Sequence, residues 1–370
     1  MKNFKTSKSL RLIAFFLVAV ILICAFGFSA DGWQINDTAD VNTHQGTSNT
    51  PTPPTPDTSQ NTDISDETEQ EAPVQKYYNP LTGEETTELL SQTNHLSFVM
   101  NPAAPMYGTS SADLIIEFPI EDGSTRFLSF INTPEQMVKI GSLEESRGYI
   151  SNLAKAFNST VFASGNDDKI PYTKLEIDEK LSSFEGIKNY IYTEFGRYTY
   201  TSGNLVSSAI TSLNASNLND SPRNPFSFSE SDTVIRGETP FNKIKIPFSS
   251  ISETVLNYSS DSSTYLLEIN SSDARDLING KSLEFKNCFI LFADSVTYEH
   301  QNSTQMILNT LGEGSGYYFT EGTAKQIRWC LSADGNLTLY DESSSELIIN
   351  RGKSYISFFK SSKIYDIVLS

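Results

Sequence analysis

The residues best suited by type to do chemistry are charged and lie close together in sequence. Asp113, Glu117, Glu121 and Arg126 fall within the stretch SADLIIEFPIEDGSTRFLSF, and Glu144, Glu145 and Arg147 follow soon after. Glu117, Glu121 and Glu144 suit general acid–base work on a glycoside, which needs two carboxyls about 5–10 Å apart. Arg126 and Arg147 suit an anionic group such as a lipid-linked phosphate, because a guanidinium grips phosphate through parallel hydrogen bonds. Each group also has a plain structural job. Arg126 follows the Asp122-Gly123 turn, so it is expected to pair with Asp113, Glu117 or Glu121 across a hairpin. Glu144 and Glu145 favour the positive end of a following helix. The candidate ligand-binding set is therefore Asp113, Glu117, Arg126 and Arg147. No residue is assigned a catalytic role, and Arg126 is expected to be structural.

Other chemistries find less support. The chain has three histidines, His44, His95 and His300, and no G-x-S-x-G motif, which argues against a Ser-His-Asp or Cys-His nucleophile. It has no H-E-x-x-H, paired C-x-x-C or EF-hand loop, so neither a metal nor another cofactor is expected. Asp167, Asp168 and Asp220 read as solvated loop acids. Gly312-Glu313-Gly314-Ser315-Gly316 mimics a phosphate loop. The mechanism needs a helix N-terminus after the glycines. A strand-like Tyr317-Tyr318-Phe319 follows instead, so a bend or bulge is expected. Cys288 and Cys330 are the cysteines beyond residue 24. A disulfide between them and a pair of reduced thiols are both allowed.

The elements that must position these groups are partly legible. Leu114, Ile116, Phe118 and Ile120 alternate as one buried strand face requires. Asp122-Gly123 suits a type I′ hairpin turn, and Phe127–Ile131 returns as the second strand. His95–Met100 reads as another strand. Ser142-Leu143-Glu144-Glu145 has the pattern of a capping box, and Ile150, Leu153, Ala154 and Phe157 follow at helical spacing. Thr160–Ala163 is strand-like, 178–186 helical, and Tyr190–Phe195 strand-like. Residues 76–213 are thus expected to form a mixed α/β N-terminal domain. A Ser/Asn/Asp/Pro-rich segment at 214–240 follows as a linker. Residues 241–370 then read as short strands separated by turns at Asn279-Gly280, Glu321-Gly322, Asp334-Gly335 and Arg351-Gly352, an antiparallel all-β domain. The fold class is α+β.

The N-terminus sets the address. Lys2, Lys5, Lys8 and Arg11 precede an uncharged apolar run of 17 residues, Leu12 to Phe28. That length is the lower limit for a membrane span. Residues 1–30 are read as a signal or membrane-anchor segment, retained, cleaved, or lipidated at Cys24. Each alternative exports the rest of the chain. Residues 31–75 lack Lys and Arg and contain the run PTPPTPDTSQ, an acidic disordered linker. Taking four leader cations from a net charge of −18 leaves −22 for the remainder. So acidic a surface repels nucleic acid, which is not expected as a partner.

Several motifs in one order then carry a family resemblance. NPLTGEE (Asn79–Glu85), SADLIIEFPIEDGSTRF and KIGSLEESRGYISNLAKAF resemble the N-terminal domain of the YerB-like lipoproteins, the family called domain of unknown function 3048. LGEGSGYYFTEGTAKQIRW (Leu311–Trp329) and LTLYDESSSELIINRGKSYISFF (Leu337–Phe359) resemble that family's second domain. The resemblance implies an exported, membrane-attached bacterial protein. The chain is a divergent member. The family's G-P-I-R-S-A-R reads Gly141-Ser142-Leu143-Glu144-Glu145-Ser146-Arg147, so Glu144 replaces the first arginine and Arg147 keeps the second. A family histidine falls near Ala163, and P-H-N-L-Y-T-S reads Gly196 to Ser202 without its histidine. The expected function is non-enzymatic: a protein held at the outer side of the cell membrane that binds an envelope polymer or a protein partner. The alternative is an envelope enzyme or lipid-phosphate handler using Arg126, Arg147 and nearby acids.

Overall fold

The computed structural model describes residues 75–92, 94–166, 190–212, 223–230, 233–300 and 303–370. The leader with Cys24, residues 31–74 and the helix expected at 178–186 lie outside them. Among the described helices, none is long and apolar enough to cross a membrane.

The described chain is mostly β-sheet with few helices. Its frame is a 13-stranded sheet to which both sequence halves contribute. The central hairpin, Leu114–Pro119 with Thr125–Phe130, lies near the middle. Leu96–Met100 flanks it on one side. On the other, Ser354–Lys360 pairs parallel with Leu114–Pro119 and, across its far edge, parallel with Asn287–Ala293. The antiparallel meander expected of residues 241–370 is therefore interrupted. A strand from the end of the chain returns to the centre and joins the two halves.

This position explains why Leu114–Pro119 is buried at every residue. Leu114, Ile116 and Phe118 pack with Tyr149, Ile150, Leu153 and Phe157, so the Gly148–Ala156 helix covers one face. Ile115 and Phe127 pack on the other side with Ile244, Ile246, Leu256 and Tyr265, which belong to a second, six-stranded sheet. A strand covered on both faces cannot show which of its alternating residues points to water, since neither face does.

Two local expectations are corrected. Ser142 does not cap a helix: Ile140–Leu143 is a strand, and the helix starts at Gly148 with Arg147 as its N-cap. The Glu144 amide donates to Val99 O at 2.9 Å and the Asn101 amide to Ser142 O at 3.0 Å, so the sheet holds this backbone. The helical face itself is where the spacing placed it. Gly312–Gly316 is not a bend but the start of the Gly312–Thr320 strand. A Cβ at Gly314 would collide with the Phe292 carbonyl oxygen and the Trp329 indole, so glycine serves close strand packing there.

Asp276 shows how the halves are fastened. The residue is 1% exposed, and its carboxylate accepts the Gly108 amide at 3.1 Å, the Ser110 amide at 3.0 Å and hydroxyl at 2.8 Å, and the Ile278 amide at 2.9 Å. Asp276→Asn places an amide group where an acceptor oxygen stood. It is expected to lower stability by about 2 kcal/mol, since hydrogen bonds to charged groups are worth roughly 1.5–3 each. Urea unfolding should show a lower midpoint at unchanged slope.

Candidate functional site

The central hairpin disperses its charges rather than gathering them. Asp113 lies at the start of the first strand and accepts Asn79 Nδ2 at 2.9 Å. Burial pushes its carboxyl up, against the pull of that bond and of the Lys353 charge. Lys353 donates to Ser110 O at 2.6 Å, and burial lowers its ammonium pKa. Asp113 therefore belongs to the seam between the Asn79 loop and the last long strand.

Glu117 points into the layer between the two sheets and is fully buried. Three hydroxyls donate to it: Thr125 Oγ1 at 2.6 Å, Thr254 Oγ1 at 2.8 Å, and the Tyr355 hydroxyl. No cation pairs with it among the described residues. Burial pushes its carboxyl up to about 7, and the three hydroxyl bonds only partly offset that. The same burial raises the Tyr355 hydroxyl and the neighbouring Cys288 thiol well above their ordinary values. This carboxyl ties its own strand to three others and is closed off from solvent.

Arg126 and Arg147 do come together, at the turn end of the hairpin, with Asp122 between them in charge. Burial pushes the Asp122 carboxyl up, but two bonds from Ser124 and the nearby guanidinium groups of Arg126 and Arg147 prevail and lower it. Arg126 does not reach Glu117 or Glu121, as the hairpin spacing implied. Arg126 is paired opposite Phe118, which leaves Glu117 on the other face of the sheet; Arg126 pairs with Glu144 at 3.3 Å and donates to Thr125 O at 3.0 Å. Glu121 is claimed instead by Arg147, through Nε at 3.3 Å and through Nη2. Glu144 thus supplies the counter-charge at the position where the family pattern carries an arginine. Tyr149 closes the cluster, its hydroxyl donating to Pro119 O at 3.0 Å.

Two clefts lie elsewhere. One, of about 490 Å³, is lined by Phe241, Tyr317, Lys325, Glu238 and Glu342 among others. The second, of about 430 Å³, lies beside Pro102–Met106 and Ile269–Arg275. Neither is lined by a member of the candidate set. No group of three or more potential metal ligands occurs among the described residues. Cys288 and Cys330 are not joined. Cys288 sits opposite Phe319 and Cys330 opposite Glu313, six residues apart on the intervening strand, or about 20 Å at strand rise.

The residue that sequence reasoning passed over is His95. It is fully buried: Asn132 Nδ2 donates to Nδ1 at 3.1 Å, and Nε2–H donates to Arg223 O at 3.2 Å. Burial lowers its pKa to about 4. No local signal marks it, because its partners lie 37 and 128 residues away.

Comparison with known proteins agrees with these elements. Residues 81–216 match the family model for the N-terminal domain of a protein of unknown function, DUF3048, and residues 244–356 match its C-terminal domain model. The chain belongs to the DUF3048 family. A relative, "Putative lipoprotein YerB" of Bacillus subtilis (strain 168), is 22% identical over 262 residues, covering 68% of this chain and 77% of its own. The crystal structure of the YerB protein from Bacillus subtilis superposes with a TM-score of 0.68 at 20% identity, covering 80% of this chain and all of that one. The DUF3048 fold is thus shared, while most side chains differ.

Proposed function

We propose that this DUF3048 protein is a non-enzymatic binding protein of the bacterial envelope, held on the outer face of the membrane by its N-terminal segment. The basic-then-apolar leader and the lipoprotein name of the YerB relative support the tether. One observation carries the binding reading. Both candidate guanidinium groups are buried and engaged by carboxylates, while the 490 Å³ cleft offers two aromatic rings beside Glu238, Glu342 and Lys325. Rings with convergent polar groups suit a sugar polymer or a peptide strand.

The test is retention of the detergent-extracted protein on insoluble cell-wall polymer. Glu238→Ala combined with Glu342→Ala, both exposed in the cleft, is expected to lose retention while thermal stability stays near that of the parent. Full retention by the double variant removes the cleft from the reading.

A second reading has one observation in its favour. Arg126 Nε is buried without a hydrogen-bond partner, as a guanidinium awaiting an acceptor would be. An isoprenyl phosphate in detergent micelles that binds the parent but not Arg126→Ala would favour a lipid-phosphate role.

A further inference from the structure

We infer that the tip of the Tyr192–Thr201 hairpin inserts into the bilayer to which the N-terminal segment is tethered. This rests on the tether proposed above. Phe195 stands at the tip, 91% exposed. The two central residues of its turn, Phe195 and Gly196, have φ of 55° and 60°. Such a turn is normally filled by Asn-Gly or Gly-Gly, because a residue with a bulky side chain is strained at positive φ. A phenylalanine here is disfavoured both by its backbone and by its contact with water. Neither burden is relieved by the described part of the fold.

The tip is rigidly presented rather than loose. Tyr192–Glu194 pairs with Tyr198–Thr201, which pairs with Ile140–Leu143 at the edge of the large sheet. Glu194, beside Phe195, accepts Lys139 Nζ at 2.5 Å. That ammonium lies 4.2 Å from the Tyr107 ring centre and 3.9 Å from the Tyr200 ring centre. The cage pins the hairpin, so little freedom is lost when the tip binds.

The surrounding chemistry points to a lipid surface. Lys139 neutralises Glu194, which leaves the exposed Arg197 guanidinium, 5.1 Å from the Tyr198 ring centre, as the uncompensated charge at the tip among the described residues. In a chain of net charge −18 this is a locally cationic, aromatic spot. Tyrosines and arginine around an apolar point match the interfacial zone of a bilayer, where anionic headgroups lie above acyl chains. The covalent chain adds an argument of its own. From Phe28 to residue 75 the backbone spans at most about 3.6 Å per residue, so the start of the fold stays within roughly 170 Å of the leader. A single aromatic side chain binds a membrane weakly, but such a leash raises its effective concentration.

The full chain in phosphatidylethanolamine–phosphatidylglycerol vesicles with brominated acyl chains provides the test. Trp33→Phe with Phe195→Trp places a reporter at the tip, and the buried Trp329 serves as a constant background. Trp33→Phe with Tyr365→Trp is the control, since Tyr365 is 92% exposed on the C-terminal 3₁₀ turn. Emission from the Phe195→Trp reporter is expected to shift to the blue and be quenched by bromine, and emission from the Tyr365→Trp control to do neither. An unquenched tip reporter in protein that floats with the vesicles overturns the insertion while leaving the tether intact, whether or not the tip then binds a protein. Protein that does not float overturns the tether, and the inference with it.

Discussion

Glu117→Gln is expected to stabilise the protein by about 3 kcal/mol at pH 8 and by almost nothing at pH 4. The carboxyl titrates near 4.5 in an unfolded chain and near 7 in the fold. Below pH 4.5 it is neutral in both states and contributes no penalty. As pH rises, the unfolded state ionises first, and stability falls until the folded group also ionises, about 2.5 units later. Each unit corresponds to about 1.4 kcal/mol, hence the magnitude. Glutamine keeps the shape without the charge. Like the protonated acid, it carries a donor where the ionised carboxylate has a second acceptor, and the neighbouring hydroxyls, unlike the backbone amides around Asp276, can rotate to accept from it. His95 titrates with the opposite sign. Its folded pKa of about 4 lies below the ordinary 6.5, so its share of stability is lost as pH falls from 6.5 towards 4. In the parent the two ramps nearly cancel between pH 4.5 and 6.5. In Glu117→Gln the His95 ramp stands alone, and stability should climb by about 3 kcal/mol across that window. Urea unfolding at a series of pH values measures both effects. A variant profile parallel to the parent's would show that Glu117 ionises in the fold at its ordinary pKa.

Arg147→Ala should cost roughly 3–5 kcal/mol, the usual result of breaking a buried pair by removing one partner. Its side chain is 6% exposed and that of Glu121 is 14% exposed, so the orphaned carboxylate cannot recover its hydration. Arg126→Ala should cost less, about 1 kcal/mol, because Glu144 is 30% exposed and turns to water. Removing Glu121 together with Arg147 should be less damaging than the sum of the single changes, as residues acting as a pair are non-additive. Thermal and urea unfolding of the four proteins in the Glu121–Arg147 cycle decide the point. Unchanged stability in Arg147→Ala, with loss of isoprenyl phosphate binding, would move the protein to the lipid-phosphate reading.

Of the fold, the sequence alone determined what depends on neighbours in the chain. The central hairpin, the apolar face of the Gly148–Ala156 helix and the Lys243–Pro247 and Leu337–Tyr340 strands follow from periodicity and turn chemistry. The hairpin does turn at Asp122-Gly123, but with positive φ at Gly123 and not at Asp122 it is not the type I′ turn expected. The family motifs were legible for the same reason, being local runs. What the tertiary structure decided is which charge meets which. Arg126 lies opposite Phe118 in the register, so the pleat puts it on the other face of the sheet from Glu117; it takes Glu144, while Glu117 faces the second sheet and receives three hydroxyls. Ser142 had the form of a helix cap, but Val99 and Asn101, some forty residues earlier, hold the backbone around it as sheet. The parallel pairing of Ser354–Lys360 with Leu114–Pro119 spans about 240 residues and leaves no trace in the spacing of either strand. Burial works in the same way. A glutamate's letter is the same on a surface and between two sheets, and only the layer of side chains brought over it makes its proton hard to remove.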